Sequence, residues 1–215
     1  MGARHAALGR LAEARMTAAP PAMIDMVFDA SGESLPSGYP FALWAELVRH
    51  APQLADDKSV GVLPLRTAES GADILLPKRA KLVLRLPQTL MQAAAALSGA
   101  SLDISGSALR LGAGQARRMQ PHPTLHAQLV AGLDDEVAFL EEMRALLNAM
   151  GIEAGLICGR RKTLADARRS LTGYSLVVHD LKPEASLRLQ SEGMGEGRHF
   201  GCGIFLPYKV ISGLG

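Results

Sequence analysis

The sequence predicts an α+β protein built from two tandem ferredoxin-like units, each with the element order βαββαβ. Segments with alternating apolar residues and segments with helical periodicity follow one another in this order, and the order occurs twice. The chain of 215 residues is 48% hydrophobic and 20% charged, which is typical of a folded domain with a core. The predicted regions are an N-terminal extension at 1–22, a first unit at 23–116 and a second unit at 117–215.

The first unit contains four strand-like segments and two helical ones. The predicted strands are 23–30, 59–66, 80–87 and 102–112, the last being a hairpin or a strand with a bulge. The predicted helices are 39–54 and 88–99, ended by Pro52 and Gly99 respectively. The segment 31–38 has the composition of a loop.

The second unit repeats this order. The predicted strands are 124–132, 152–158, 174–181 and 202–210, and the predicted helices are 133–151 and 182–193. The segment 159–171 is predicted to be a basic connector or a hairpin arm. The same βαββαβ order occurs in RRM-like RNA-recognition modules, but a fold alone does not define a function.

Composition excludes several classes of protein. The net charge is only +2, so the distribution of basic residues matters more than their number. Two cysteines, Cys158 and Cys202, make no disulfide framework or metal cluster, which suits a reducing cytoplasm. No apolar stretch approaches the roughly 18 residues of a membrane span, and residues 1–22 lack the apolar core of a signal peptide. We therefore expect a cytoplasmic protein without a metal or cofactor.

The stretch "SEGMGEGRHFGCGIFLPYK", residues 191–209, begins with five glycines in 13 residues. A phosphate-binding P-loop would end in Gly-Lys-Ser/Thr and open a helix, and this stretch does neither. A dinucleotide-binding fingerprint follows a strand and precedes a helix, whereas this run precedes a predicted strand. Neither familiar glycine motif explains the segment.

Three stretches together resemble the CRISPR-associated repeat endoribonucleases, the Cas6 family. They are "GMGEGRHFGCGIF" before the last strand, "GYPFALWAELVRHAPQL" with "SVGVLPLR" near the start, and the central "LRLGAGQARRMQPHPTLHAQLV". The similarity covers roughly residues 23 to 210 and is greatest to the compact branch of myxobacterial-type loci. The C-terminal glycine-rich motif is its most specific part.

The resemblance implies a metal-independent ribonuclease that cuts precursor CRISPR transcripts within each repeat. Its partner would be CRISPR repeat RNA, often a hairpin, and possible further partners are other proteins of a CRISPR effector complex. The glycines would then let the backbone approach RNA phosphates closely. The alternative is that they only permit a tight turn and close strand packing.

Cleavage without a metal uses the RNA 2′-hydroxyl as nucleophile, a base, an acid and cations that stabilise the phosphorane. His50 is the first candidate, because the resemblance implies a catalytic histidine near the end of the first helix. A helix C-terminus also stabilises an imidazolium, which favours an acid role, and a surface capping histidine is the alternative. His199 is the second candidate, although it could contact phosphate instead.

Two further side chains are catalytic candidates through the resemblance. Tyr39 opens the helix that ends at His50, and its alternative role is a buried anchor. Lys58 precedes the second strand, and its alternative role is a solvated charge beside Asp56 and Asp57.

Basic residues cluster in three places and predict a groove that follows an RNA backbone. The first cluster contains Lys78, Arg79, Lys81 and Arg85, the second contains Arg117 and Arg118, and the third spans residues 160–169. The glycine-rich loop is predicted to add its own contacts. Aromatic residues are only 4% of the chain, so a broad base-stacking platform is not expected. The predicted RNA-binding residues are Lys78, Arg79, Lys81, Arg117, Arg118, Arg160, Arg161, Lys162, Arg168, Arg169, Gly193, Gly195, Gly197 and Arg198.

Two other hypotheses remain open from the sequence. A non-catalytic RNA-binding subunit of the same effector complex would have the same fold and the same basic clusters. A small-ligand sensor or enzyme on a ferredoxin-like fold would need an acidic or metal-ligating cluster, and the sequence contains none.

Overall fold

The structure is a computed structural model that describes residues 22–65, 68–70 and 73–208. The predicted extension, the end of the second predicted strand at residue 66 and the end of the last predicted strand at 209–210 lie outside this range. Two antiparallel sheets carry the fold, one in each half of the chain. The predicted tandem ferredoxin-like architecture is confirmed.

The first unit forms a five-stranded sheet with the strand order β3-β6-β1-β8-β7. Without the hairpin strand β7, the order is that of a ferredoxin-like sheet, in which the first and third strands lie at the centre. The elements of this sheet are β1 (Met23–Ser31), α1 (Tyr39–His50), β3 (Gly61–Val62), β6 (Ala80–Pro87), α2 (Met91–Ala95), β7 (Ser101–Ile104) and β8 (Ser107–Arg118).

A small third sheet lies beside the first unit. It contains β2 (Ser34–Pro36), β4 (Ala68–Ser70) and β5 (Asp73–Leu75), in the order β2-β5-β4. The prediction that 31–38 is entirely a loop was therefore wrong, since its centre pairs with β5. Such a short strand is specified by its partner rather than by its own three residues.

The second unit forms a four-stranded sheet with the order β10-β11-β9-β12, which is the same ferredoxin-like arrangement. Its elements are β9 (Leu125–Ala131), α3 (Glu136–Ala149), β10 (Gly155–Ala165), β11 (Ser170–His179), α4 (Pro183–Glu192) and β12 (Leu206–Pro207). The segment 159–171 is the distal part of the β10–β11 hairpin, so the hairpin-arm alternative holds.

The sequence predicted which strands and helices occur more accurately than it predicted where they begin and end. Among the described residues, the strand predicted at 59–66 forms a ladder at β3, and the one predicted at 202–210 forms a ladder at β12. The helix predicted at 88–99 is a 3₁₀ turn followed by the five residues of α2. The strand β8 continues to Arg118, across the predicted boundary between 116 and 117.

Each unit has its own hydrophobic core between sheet and helices. In the first, Phe28 of β1 packs in one buried cluster with Leu43 and Leu47 of α1. In the second, Phe139 and Met143 of α3 pack in another cluster. The alternating burial of β1 places every second residue in the core, as a half-buried strand requires. Within residues 22–65, 68–70 and 73–208, no helix is long and apolar enough to span a membrane.

Candidate nucleic-acid interface and active site

The glycine-rich loop begins where α4 ends and closes on itself. The amide of Met194 donates to the carbonyl of Gly203 at 3.1 Å, and the amide of Gly203 donates to Leu129 of β9 at 2.7 Å. Gly193 and Gly197 have φ angles of +68° and +80°, in the left-handed region that favours glycine. The loop is therefore a tightly folded turn that is bonded to the second sheet.

The space beside these glycines is filled by the protein itself. A Cβ atom on Gly193 would lie 2.5 Å from the carbonyl oxygen of Gly203, and one on Gly195 would lie 2.7 Å from that of Ala131. On Gly197 it would lie 2.6 Å from a methyl group of Leu171. The geometry thus favours the turn-and-packing alternative for these glycines, and their contact with RNA stays a prediction.

The Arg198 side chain connects this loop to the first unit. Its Nε donates to the carbonyl of Ser59 at 2.8 Å, and its Nη2 donates to the carbonyl of Ser191 at 2.7 Å. Burial lowers the pKa of Arg198 to about 10. Its Nη1 is buried and has no hydrogen-bond partner among the described residues. Because Nε and Nη2 both donate to backbone carbonyls, this arrangement favours a structural role over the predicted contact with RNA.

His199 packs against the first helix. Its ring is stacked on Trp44, with ring centroids 4.1 Å apart and planes inclined by 7°. Its Nε2 is buried and has no hydrogen-bond partner among the described residues. Burial lowers the pKa of His199, and the backbone of Asp57 opposes this shift with a hydrogen bond. These contacts favour a packing role over proton transfer.

Tyr39 lies in the core of the first unit, where only 8% of the residue is exposed. The amide of Leu65 donates to its hydroxyl oxygen at 3.1 Å. Burial raises the pKa of Tyr39, so the phenol keeps its proton. The buried-anchor alternative describes this residue better than a catalytic role.

His50 is half-buried at the last residue of α1, where its ring remains partly accessible. Its Nε2 lies 2.9 Å from Nη2 of Arg49, and Arg49 is held by both carboxylate oxygens of Glu46. This contact with Arg49 lowers the pKa of Glu46 to about 2. Because a guanidinium only donates, Nε2 is the acceptor in this contact. The contact with Arg49 therefore favours a general-base role for His50, whereas its position at the end of a helix favours a general-acid role.

Lys58 is exposed in the turn that precedes β3. Its neighbours in the chain are tied to the glycine-rich loop, since the carbonyl of Ser59 accepts a hydrogen bond from Arg198. The backbone of Asp57 also raises the pKa of His199, against the larger effect of burial. Lys58 is thus an exposed cation whose neighbour in the chain, Ser59, contacts the glycine-rich loop.

The first two basic clusters are only partly available to a ligand. Lys78, Arg79 and Arg118 are exposed, whereas Lys81 forms an ion pair with Asp29. Arg117 lies 3.3 Å from Asp25, although 62% of its side chain is exposed. These side chains leave a discontinuous basic surface on the first unit.

Arg85 belongs to the same basic stretch in sequence but is only 1% exposed. It forms a two-point ion pair with buried Asp25, with N–O distances of 2.8 and 3.1 Å. Its Nη1 also donates to the carbonyls of Gln190 and Phe205 in the second unit. The prediction that Arg85 belongs to a basic cluster on the surface was therefore wrong. The available signal was that Asp25 and Arg85 each stand between two apolar residues of a predicted strand.

The basic residues of the β10–β11 hairpin form the most continuous exposed cluster. Arg160, Lys162 and Arg168 are exposed, and Arg161 pairs with Asp134 at 2.6 Å. The tip of the hairpin reaches the first unit, where Arg169 lies against an aromatic ring of α1. The sequence alone gave no sign of this contact, or of the Trp44–His199 stack.

Metal-ligating side chains are dispersed over the structure. In the part of the chain that the structure describes, no group of three or more His, Cys, Asp or Glu residues is placed to hold a metal ion.

The fold and the site define a class of proteins with two ferredoxin-like units and a C-terminal glycine-rich loop that contacts both. A family model described as Cas6 Crispr matches residues 24–210. This chain therefore belongs to the Cas6 family.

A curated relative and several solved structures agree with this assignment. The CRISPR-associated endonuclease Cas6 of Myxococcus xanthus (strain DK1622) is 36% identical over 186 residues, which cover 86% of this chain and 81% of the relative. A solved CRISPR associated protein Cas6 matches with a TM-score of 0.64 and 8% identity, over 88% of this chain and all of the other.

A Cas6-related protein from Pyrococcus furiosus matches with a TM-score of 0.58 and 13% identity, over 87% of this chain and 98% of the other. A CRISPR endoribonuclease Cse3 bound to a 19-nucleotide RNA matches with a TM-score of 0.52 and 14% identity, again over 87% and 98% of the two chains. At these identities the solved structures support the fold.

Proposed function

We propose that this protein is an endoribonuclease that cleaves precursor CRISPR RNA within its repeats to give mature guide RNAs. The observation that carries the proposal is the 36% identity to a CRISPR-associated endonuclease over 86% of this chain. The exposed basic side chains of the β10–β11 hairpin support RNA as the substrate, because guanidinium and ammonium groups bind backbone phosphates.

The repeat RNA is proposed to bind as a hairpin. An A-form stem is recognised mainly through its shape and its phosphates, and a projecting basic hairpin suits that mode of contact. Other proteins of a CRISPR effector complex are proposed as further partners on the ground of family alone.

The proposed reaction needs no metal ion. The 2′-oxygen attacks the adjacent phosphorus, its proton passes to a base, and the 5′-oxygen leaves with a proton from an acid. The products are a 2′,3′-cyclic phosphate and a 5′-hydroxyl. His50 is proposed to carry one proton transfer, because the residue is only half-buried and its Nε2 accepts a hydrogen bond from Arg49. Lys58 is proposed to stabilise the phosphorane or protonate the leaving group.

The test uses the purified protein and the repeat RNA of the CRISPR array in its own genome. We expect one cut per repeat, a rate unchanged by excess EDTA, and no cut when the nucleotide upstream of the scissile phosphate is 2′-deoxy. Mass spectrometry of the fragments should find a cyclic phosphate and a 5′-hydroxyl. A 5′-phosphate on the downstream fragment, or loss of activity in EDTA, would contradict the mechanism.

Binding without cleavage would instead support the non-catalytic subunit. In that outcome the repeat should bind with a salt-dependent affinity while remaining intact through long incubation. The two functions are therefore separated by a filter-binding assay and a cleavage assay on the same RNA.

A further inference from the structure

The tip of the β10–β11 hairpin is a closed turn that rests on the first unit. The Asp166 carboxylate accepts hydrogen bonds from the amides of Arg168 and Arg169, each at 2.8 Å, and the Asp166 amide donates to the Arg169 carbonyl at 3.0 Å. The carbonyl of Ala165 packs so closely on Gly38 that a Cβ there would lie 3.0 Å away. The tip is thus fixed internally and placed against the start of α1.

Arg169 makes cation–π contacts with aromatic rings from two different segments. Its guanidinium carbon lies 4.7 Å from the ring centroid of Phe41 in α1 and 5.0 Å from that of Phe200 at the end of the glycine-rich loop. The two rings are themselves in contact, with centroids 4.7 Å apart. A cation at these distances from two rings is attracted to both. Arg169 therefore holds three segments together: the hairpin, α1 and the loop.

The neighbouring Arg168 lacks these aromatic contacts. Both side chains are exposed, 53% in the case of Arg169, and Arg169 also forms an ion pair with Asp166 at 3.7 Å. No ion pair or side-chain hydrogen bond of Arg168 exists among the described residues. Of the two adjacent arginines at this tip, Arg169 contacts two aromatic rings, whereas the side chain of Arg168 makes no ion pair or hydrogen bond with the described residues. This contrast makes Arg168 a matched control for Arg169.

We propose that Arg169 is a positioning residue that fixes the basic hairpin relative to α1, the helix that ends at His50, and that it does not bind a phosphate. The inference rests on the proposed function for its RNA readout, but the docking it describes exists without RNA. It replaces the prediction that Arg169 and Arg168 act alike on the nucleic acid. A guanidinium is planar and weakly hydrated, so a strongly hydrated lysine ammonium should be a poorer partner for the two rings.

The first arm of the test measures docking in the free protein by hydrogen exchange of the amides at the hairpin tip. Arg169→Ala and Arg169→Lys should each speed exchange about two- to fivefold, the range that the loss of a surface cation–π contact gives. Phe200→Leu should do the same, and combining it with Arg169→Ala should add little. Arg168→Ala should leave exchange as it is. Unchanged exchange in Arg169→Ala, or full rescue by lysine, would overturn the inference.

The second arm measures binding of the repeat RNA against salt concentration. Each lost phosphate contact should lower the slope by about 0.7 to 0.9. Arg168→Ala should show this decrease, whereas Arg169→Lys should keep the slope and slow cleavage at saturating RNA. A lower slope in Arg169→Ala equal to that of Arg168→Ala would show that Arg169 binds phosphate, against the proposal. If no RNA is cleaved, the exchange arm still decides the docking, so failure of the function and failure of the inference remain distinguishable.

Discussion

His50 is half-buried and Lys58 is exposed, whereas Tyr39 and the Nε2 atom of His199 are buried. A group that transfers a proton to RNA must reach it, so accessibility separates the four candidates into two pairs. At the level of single residues, the sequence could nominate histidines by their chemistry. It could not predict which ring stacks on Trp44, because that contact joins residues 155 positions apart in the chain.

Replacing His50 should slow chemistry and leave binding alone. Removal of a general acid or base costs about two to four powers of ten in rate, so His50→Ala should lose cleavage to that extent in single-turnover experiments. The affinity for an uncleavable 2′-deoxy repeat should stay close to wild type. His122→Ala, in the segment between β8 and β9, serves as the control and should cut normally. A normal rate in His50→Ala would remove this histidine from the mechanism.

The buried ring of His199 should make folding sensitive to acid. Its pKa in the folded protein is lowered from 6.5, so below that pH the unfolded chain binds a proton that the folded chain resists. The stability that the neutral ring contributes is present above the unfolded pKa and is lost as the pH falls from there through the lower folded pKa. His199→Phe keeps a ring on Trp44 but cannot be protonated, so its stability should fall less than wild type between pH 7.5 and 5.5. Urea unfolding across this interval measures the difference, and parallel curves for the two proteins would contradict it.

At the scale of elements, apolar periodicity predicted where strands and helices occur, and pairing partners decided how far they extend. The β6 segment was predicted at its observed bounds because its alternation is strict. The three strands of the small sheet were missed, since none is longer than three residues and each depends on a neighbour for its hydrogen bonds. The docked hairpin tip was missed for a related reason: its contacts lie in another unit.

The glycine-rich loop should respond to substitution through stability before it responds through RNA binding. Gly197→Ala places a Cβ in the left-handed region and 2.6 Å from Leu171. Gly99→Ala is the matched control, because Gly99 has a φ of +77° with nothing within 4 Å of the added atom. We expect about 1–2 kcal/mol of destabilisation at Gly99 from conformation alone. Overpacking should add roughly 1–3 kcal/mol at Gly197.

Urea unfolding gives both of these free energies. RNA affinity is then compared under conditions where each variant is folded. Equal stability losses at the two positions together with weaker RNA binding only in Gly197→Ala would reverse the conclusion and favour close approach of the backbone to RNA.

At the scale of the whole molecule, two separate hydrophobic cores are connected by buried guanidinium groups. Arg198 reaches from the loop to the carbonyl of Ser59 in the first unit, and Arg85 reaches from β6 to carbonyls of Gln190 and Phe205 in the second. Such contacts fix orientation because a planar guanidinium donates along set directions. The relative placement of the units therefore depends on a few directional polar contacts in addition to apolar packing.

The ion pair of Arg85 and Asp25 should be the polar contact whose loss lowers the free energy of unfolding most. Arg85→Ala would leave the Asp25 carboxylate, whose side chain is 4% exposed, without its two-point partner. Breaking a buried pair in this way typically costs about 3–5 kcal/mol, and we expect the lower end because Arg117 stays 3.3 Å from Asp25. Arg117→Ala removes a largely exposed partner and should cost less than about 1 kcal/mol. Asp25→Leu combined with Arg85→Met should recover much of the loss, since an apolar pair leaves no buried charge. Denaturant unfolding of wild type and these three variants tests this order, and a cost for Arg85→Ala no larger than that for Arg117→Ala would contradict it.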